Sequence, residues 1–193
     1  MSQSTEQTQD VSEWQALVEA GNAAYAVRKY TEAELKFAAA LRIAEKWSND
    51  AKNNEANTDE VTEVSERLAK SLNNMAALYH TQGKYKMAED LYDRCLEIKK
   101  RIYGEEHPEV ALNLHNLAAV YSAKGRWEQA EAHYKQALEL REKSLGESHP
   151  DLIPILTNYA LMLRRSKRDD DAAAIESRAK AIVNAHVEPA GNR

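Results

Sequence analysis

The sequence predicts an all-α fold of stacked helix pairs, and a repeat in the middle of the chain is the main reason. Residues 69–110 and 111–152 are successive segments of 42 residues that share glycine, alanine, tyrosine and proline at the same places. A fixed period of this size is typical of repeat proteins. The composition, with only six glycines and four prolines, favours helices. No stretch shows the alternation expected of a strand.

The repeat frame divides residues 12–186 into a single domain of four helix pairs. The first pair aligns with the second at an offset of 55 residues, which is 13 more than the regular step of 42. The extra length lies in a polar, asparagine-rich segment, which predicts a loop insertion at residues 48–57. Asn57 and Glu60 then form a capping box for the next helix. The four pairs are predicted at 12–46, 58–103, 108–145 and 150–186.

Glycine and proline mark the helix ends of the regular repeats. Gly83 and Gly125 suit the left-handed conformation that ends a helix. Pro108 and Pro150 suit the first turn of the helix that follows. In the fourth pair Lys167 takes the place of the turn glycine. The more polar fourth pair is expected of a terminal repeat, because no further repeat covers its outer side.

Charge and composition disfavour several classes of function. The chain has 26 basic and 31 acidic residues, whereas nucleic-acid binding needs a basic face. The single cysteine, Cys95, aligns with alanines of the other repeats and is expected to be buried and inert. No apolar run is long enough to span a membrane and the first residues do not resemble a secretory signal, so a cytoplasmic protein is expected. Residues 1–11 are expected to be disordered and residues 187–193 to fray.

The residues shared by the repeats resemble the tetratricopeptide repeat. Leu72, Ala76 and Tyr79 on one helix and Ala88 and Tyr92 on the next stand at the places that define this family. The 42-residue length and the closing Gly-x-x-His-Pro are similar to the repeats of kinesin light chains and their bacterial relatives. The resemblance implies a right-handed superhelical solenoid of four helix–turn–helix pairs, about eight helices. It also implies a concave groove lined by the first helix of each pair. Small residues stand at the two helix-crossing places of all four pairs: Gly21, Ala76, Ala118 and Ala160, then Ala33, Ala88, Ala130 and Ala172.

The resemblance also implies where a ligand would bind. Asn74, Asn116 and Asn158 recur at the 42-residue step, and asparagines at the matching places contact cargo peptides in kinesin light chain repeats. A carboxamide both donates and accepts, so it can pair with the backbone of an extended peptide. Alternatively, these asparagines bridge neighbouring helices or face water. Arg164 belongs to a basic run at a helix end, which also favours a local electrostatic role. The predicted peptide-binding residues are Asn22, Lys70, Asn73, Asn74, His80, His115, Asn116, Asn158 and Arg164.

The sequence contains no constellation typical of catalysis. The six histidines do not fall in a cluster with metal-ligand spacing, and His107 and His149, which precede prolines, are expected to cap or pack. Phosphate-binding loops and nucleophile elbows are absent from the sequence. The prediction is therefore a non-enzymatic adaptor or scaffold that binds a protein or peptide without cofactor or metal. The alternative is a structural homo-oligomer assembled by stacking of end repeats, with weak self-association through the N-terminal helix and Trp14.

Overall fold

The computed structural model describes residues 2–53 and 57–187, with side chains from residue 10 to residue 186 within those ranges. The described part of the chain forms eight α-helices and one short 3-10 helix, without a strand, so the predicted all-α fold of four helix pairs is confirmed. The elements are α1 (Ser2–Ala26), α2 (Tyr30–Asn53), α3 (Thr58–Thr81), α4 (Tyr85–Tyr103), α5 (Pro108–Ala123), α6 (Trp127–Leu145), the 3-10 helix Pro150–Leu152, α7 (Ile153–Arg165) and α8 (Asp169–Val187).

The chain divides into two compact units of two helix pairs each. Unit 1 extends from Met1 to Ile102 and holds α1 to α4, whereas unit 2 extends from Tyr103 to Arg193 and holds α5 to α8. Among the described residues, none of the helices is both long enough and apolar enough to cross a membrane.

The glycine turns that the sequence predicts are confirmed. Gly83 and Gly125 follow first helices and have φ angles of 73° and 72°. Arg28 and Lys167 take the same place in the outer pairs, with φ angles of 60° and 63°. All four pairs therefore turn through a left-handed residue, and the two outer pairs do so with a side chain that is strained there.

Three predicted helix caps are also confirmed. The Asn57 side chain accepts a hydrogen bond from the backbone N–H of Glu60 at 3.0 Å and caps α3. His107 caps α5 through its Nδ1, which accepts from the backbone N–H of Glu109 at 3.2 Å. His149 caps the 3-10 helix in the same way.

The segment predicted as a loop at residues 48–57 is mostly helix, and that prediction is wrong. Helix α2 continues to Asn53, and residues 54–56 lie outside the described residues. Although this segment is polar overall, one side of the helix is buried. Ala44 and Ser48 are buried on that side, and Trp47 packs against the hydrophobic cluster to which Ala44 belongs. Because these positions follow the helical period, the helix extends beyond residue 46, the predicted end of the first pair.

The N-terminal helix also begins earlier than predicted. Helix α1 starts at Ser2, so residues 2–11 are helical where disorder was expected. This stretch contains neither glycine nor proline, and once a helix has formed each added residue gains one backbone hydrogen bond. At the other end α8 reaches Val187, and the frayed tail predicted beyond it lies outside the described residues.

Trp14 of α1 lies in the core of unit 1. It belongs to a buried cluster that includes Ala44, Leu72 and Cys95, and its Nε1 donates a hydrogen bond to Oγ of Ser71 at 2.9 Å. The buried position predicted for Cys95 is thereby confirmed. Because Trp14 is buried, its side chain is not available as a self-association contact, and self-association through the N-terminal helix stays a prediction.

Acidic residues near the start of two second helices tie each pair to the one that follows it. In unit 1, Glu34 accepts hydrogen bonds from Gln82 at 3.0 Å and from Nζ of Lys84 at 3.2 Å. In unit 2, Glu131 accepts from the hydroxyl of Tyr159 at 2.9 Å and from the Arg168 guanidinium. Glu34 and Glu131 hold the same repeat position, as do Lys84 and Arg168, so this contact is part of the repeat.

Candidate binding faces of the first helices

The predicted peptide-binding residues fall on two faces, one in each unit. The first-helix face of unit 1 comprises the predicted residues on α1 and α3, and the first-helix face of unit 2 comprises those on α5 and α7. Unit 1 carries Asn22, Lys70, Asn73, Asn74 and His80, and unit 2 carries His115, Asn116, Asn158 and Arg164.

In unit 1 the two helices of this face are joined by a polar contact. The hydroxyl groups of Tyr25 on α1 and Thr81 on α3 lie 2.7 Å apart. Asn22 is exposed, and His80 is half-buried with its ring 5.7 Å from that of Tyr85. The structure therefore places predicted residues on adjacent helices of this unit.

Asn74 is the residue on this face whose hydrogen bonding is incomplete. Its side chain is half-buried, and its Nδ2 is buried without a hydrogen-bond partner. The repeat explains the missing partner. Asn158, which holds the same repeat position as Asn74, pairs with His115 of the preceding helix pair. The position that corresponds to His115 in the first helix pair is Val18, whose side chain cannot accept a hydrogen bond.

Lys70 presents a positive charge on the first-helix face of unit 1. Its side chain is exposed, and its Nζ lies 5.5 Å from the centre of the Trp14 ring, within the range of a cation–π contact. Among the described residues, Lys70 has no acidic partner within ion-pair distance. The aromatic ring holds the ammonium group in place without neutralising it.

In unit 2, His115 and Asn158 form a pair that joins α5 to α7. The Nδ2 of Asn158 lies 2.8 Å from Nε2 of His115. Burial, with a smaller contribution from the charge of Arg141, lowers the pKa of His115 to about 4. The ring is therefore neutral at physiological pH, and Nε2 accepts the hydrogen bond from the amide. Asn158 thus bridges neighbouring helices, as the alternative interpretation predicts, and its Oδ1 remains for a donor.

Arg164 is engaged within unit 2. Its guanidinium donates two hydrogen bonds of 2.8 Å to the carboxylate of Glu176 on α8 and lies 3.4 Å from Asp169. This arrangement supports the local electrostatic role rather than a ligand contact. The neighbouring Arg165 lies over Trp127 at 5.9 Å and has no acidic partner in the described ranges 2–53 and 57–187.

The first-helix face of unit 2 also has an apolar part, which the predicted set of peptide-binding residues leaves out. Leu161 on α7 is 55% exposed, and Leu112 on α5 is also exposed. Both leucines stand outside the repeated core positions, so the sequence already places them on the outward edge of their helices. The predicted polar residues Asn73 and Asn116 are half-buried.

The described residues do not bring chemistry-bearing side chains together. Within the described residues, no group of three or more histidine, cysteine, aspartate or glutamate side chains is placed to hold a metal ion. The two faces instead combine amide groups, single cations and exposed aliphatic side chains, which suit recognition of another polypeptide.

Comparison with known families identifies the repeat. The family model described as "Tetratricopeptide repeat" matches residues 67–143 and 111–185, which together cover more than half of the chain. A segment of 44 residues is 46% identical to a nucleotide-binding leucine-rich repeat (NLR)-like protein of Hyaloscypha variabilis. That match covers 23% of this chain and only 4% of the relative.

Several solved structures share the fold at low sequence identity. The apo form of RapI aligns with a TM-score of 0.72 at 16% identity, over 93% of this chain and 45% of RapI, so the chain spans less than half of that protein. BtubC (BKLC) from P. vanneervenii aligns at 0.58 and 22% identity, over 97% of this chain and 95% of that one. The nearly identical TPR-like repeats of a putative kinesin light chain from Podosopora anserina align at 0.59 and 16% identity, over 91% and 97%. The predicted resemblance is confirmed at the level of the fold.

Proposed function

Since the chain belongs to the tetratricopeptide repeat family, whose fold is that of protein-interaction modules, we propose that it is a non-enzymatic adaptor or scaffold. It binds a protein or peptide on the first-helix faces of its two units. The observation that carries this proposal is the unpartnered amide of Asn74 on the face of unit 1.

An amide donor buried without a partner costs about 1–3 kcal/mol relative to a satisfied one. Because Asn74 is half-buried, a half-turn about χ2 would exchange Nδ2 with Oδ1 and direct the donor outward. A backbone carbonyl of a bound peptide would then accept the hydrogen bond that the protein leaves unmade. This rotation breaks no hydrogen bond of Nδ2, because Nδ2 has no partner in its present orientation.

The neighbouring groups indicate the chemistry of the ligand. Lys70 offers an unpaired cation beside Asn74, which suits an acidic residue of the ligand. In unit 2, Leu112 and Leu161 offer exposed aliphatic surface on the same two helices as His115 and Asn158. An acidic and partly apolar peptide would satisfy these groups.

To test the proposal, a displayed library of random peptides is passed over the immobilised chain, and the peptides that bind are selected. The affinity of a selected peptide is then measured by fluorescence anisotropy for the wild type, for Asn74→Ala and for Asn49→Ala. Asn49 is a matched control, because it is exposed on α2, a second helix. We expect Asn74→Ala to weaken binding by about 5- to 150-fold, which corresponds to the 1–3 kcal/mol of one lost polar contact.

The control should bind as the wild type does. If Asn74→Ala also binds as the wild type does, the first-helix face of unit 1 is not the binding surface. Equal loss in both asparagine variants would likewise contradict the proposal, since it would indicate a general effect of the substitution.

A further inference from the structure

A second feature of unit 1 lies away from the first-helix faces. A cavity of about 180 Å³ opens where the C-terminal part of α2 meets the start of α3 and the end of α4. Its walls combine aliphatic, hydroxyl and basic side chains. They include Ser48 and Lys52 of α2, Val61, Val64 and Ser65 of α3, and Arg101 of α4.

The cavity exists because α2 is longer than the second helices of the regular repeats. Ser48 and Lys52 belong to the extra segment of the first pair, and at the regular repeat positions 55 residues later the chain has Tyr103 and His107. The insertion thus supplies one wall of a site that the 42-residue repeats lack.

The polar side chains of the cavity suit an anion. Ser48 is 8% exposed and Ser65 is 4% exposed, and both side chains line the cavity. Lys52 and Arg101 are exposed and form no ion pair with any residue that the structure describes. Two cations without an acidic partner among the described residues attract an anion, and hydroxyl groups beside them can donate hydrogen bonds to it.

The aliphatic side chains restrict which anion fits. Val61 and Val64 line the same cavity and offer no hydrogen bonds. A phosphate ion, which is polar on every side, would lose water there, and its oxygens that face the valines would have no hydrogen-bond donor. Among the described residues, no acidic side chain lines the cavity, although the chain carries a net charge of −5. A carboxylate joined to an aliphatic group matches both kinds of wall.

We propose that this cavity binds a carboxylate carried by a short aliphatic group, presented either by a free short-chain acid or by the C-terminal residue of a peptide. Arg101, Lys52 and the two serine hydroxyls donate to the carboxylate, and the aliphatic group packs against Val61 and Val64. An apolar cavity of about 150 Å³ takes up benzene, so the volume suits a ligand end of roughly six non-hydrogen atoms. This site is independent of the proposed peptide-binding faces.

The test is an NMR titration of the isotope-labelled full chain with isovalerate, isovaleramide and inorganic phosphate. We expect isovalerate to shift backbone signals at the facing parts of α2, α3 and α4, with a millimolar Kd for so small a ligand. Isovaleramide, which has the same shape without the charge, should bind at least tenfold more weakly. Phosphate should also bind more weakly than isovalerate.

Variants decide whether the cavity itself is responsible. Arg101→Gln and Lys52→Gln should each weaken isovalerate binding about five- to tenfold, because each removes one charged donor at a partly solvated site. Lys46→Gln is the matched control, since Lys46 is exposed on α2 and does not line the cavity. Circular dichroism checks that each variant is folded.

Acetylated tripeptides that end in valine, with a free or an amidated C-terminus, distinguish the two sources of carboxylate. Tighter binding of the free-acid peptide than of isovalerate assigns the site to a peptide C-terminus, and binding of isovalerate alone assigns it to a small acid. The proposal is overturned if neither acid shifts these signals at 50 mM, or if acids and amides bind equally. It is also overturned if Lys46→Gln weakens binding as much as Arg101→Gln does.

Discussion

Replacing Glu131 with glutamine should destabilise unit 2 at neutral pH and have a smaller effect in acid. Glu131 accepts hydrogen bonds from Tyr159 at 2.9 Å and from the Arg168 guanidinium, and its carboxylate lies 2.8 Å from Nζ of Lys135. Burial raises the pKa of Glu131, but the hydrogen bonds from Arg168, Lys135 and Tyr159 outweigh it and hold the pKa at about 2. Glutamine keeps an acceptor for Tyr159 but loses the charge.

The magnitude follows from the difference in pKa between the folded and unfolded chain. An ordinary value of 4.5 in the unfolded chain and about 2 in the folded chain sets an upper limit of about 3 kcal/mol, at 1.36 kcal/mol per unit. The side chain of Glu131 is 17% exposed, but those of Arg168 and Lys135 are 44% and 64% exposed, so water screens the pairs. We therefore expect the free energy of unfolding to fall by about 1–2 kcal/mol at pH 7.

The sign of the pH dependence follows from the same shift. Because the pKa of Glu131 is lower in the folded chain, its stabilisation is present above pH 4.5 and is lost as the pH falls toward 2. By this linkage, the difference in unfolding free energy between wild type and Glu131→Gln at pH 3 should be less than about half of that at pH 7. Urea unfolding followed by circular dichroism at several pH values measures it.

Glu139→Gln is the control, because Glu139 is exposed on the same helix and has no ion-pair partner among the described residues. It should change the free energy of unfolding by less than about 0.5 kcal/mol. A difference for Glu131→Gln that stays the same from pH 7 to pH 3 would refute the assignment of this carboxylate as a charged acceptor. So would equal effects of the two substitutions.

Two further substitutions test the backbone and packing of the outer repeats, with thermal unfolding as the measurement. Gly21→Ala should destabilise unit 1 by about 1–3 kcal/mol, because the added Cβ would lie 2.4 Å from Cε1 of the buried Phe37. In an unobstructed helix the same change ordinarily stabilises by about 1 kcal/mol. An unchanged or higher melting temperature would contradict this contact. Lys167→Gly should stabilise unit 2 by up to about 1 kcal/mol, since Lys167 has a φ of 63°. Ser166→Gly, at a φ of −87°, should not stabilise it, and a gain in Ser166→Gly alone would contradict the strain assigned to Lys167.

The repeat frame could be predicted from the sequence because its signals are local. Small residues such as Ala76 and Ala118 mark where two helices cross, and both are fully buried. Gly83 and Gly125 mark turns that need a left-handed residue. The length of α2 could not be predicted in the same way, because its last part is rich in asparagine and only Trp47 shows that one side still packs.

The hydrogen bonds of the candidate faces could not be predicted from the repeat. Asn74 and Asn158 hold the same repeat position, but their surroundings differ. The helix pair that precedes Asn158 supplies His115 as a hydrogen-bond partner, whereas the pair that precedes Asn74 has Val18 at that position. The sequence allowed Arg164 either a ligand contact or a local electrostatic role, and only the fold shows that Glu176 of α8 lies 2.8 Å from its guanidinium. Such pairs depend on which side chains two helices bring together, whereas periodicity identifies only one helix at a time.

The central claim, that the first-helix face of unit 1 binds a peptide, is tested most directly by the NMR signals of the asparagine side-chain amides. A selected peptide is titrated into the isotope-labelled chain, and the Nδ2 signals of Asn22, Asn74 and Asn49 are followed. The account predicts that Asn74 shifts most, that Asn22 on the same face shifts as well, and that Asn49 on α2 does not change. A titration in which the peptide binds and shifts Asn49 while the Asn74 signal stays in place would contradict it.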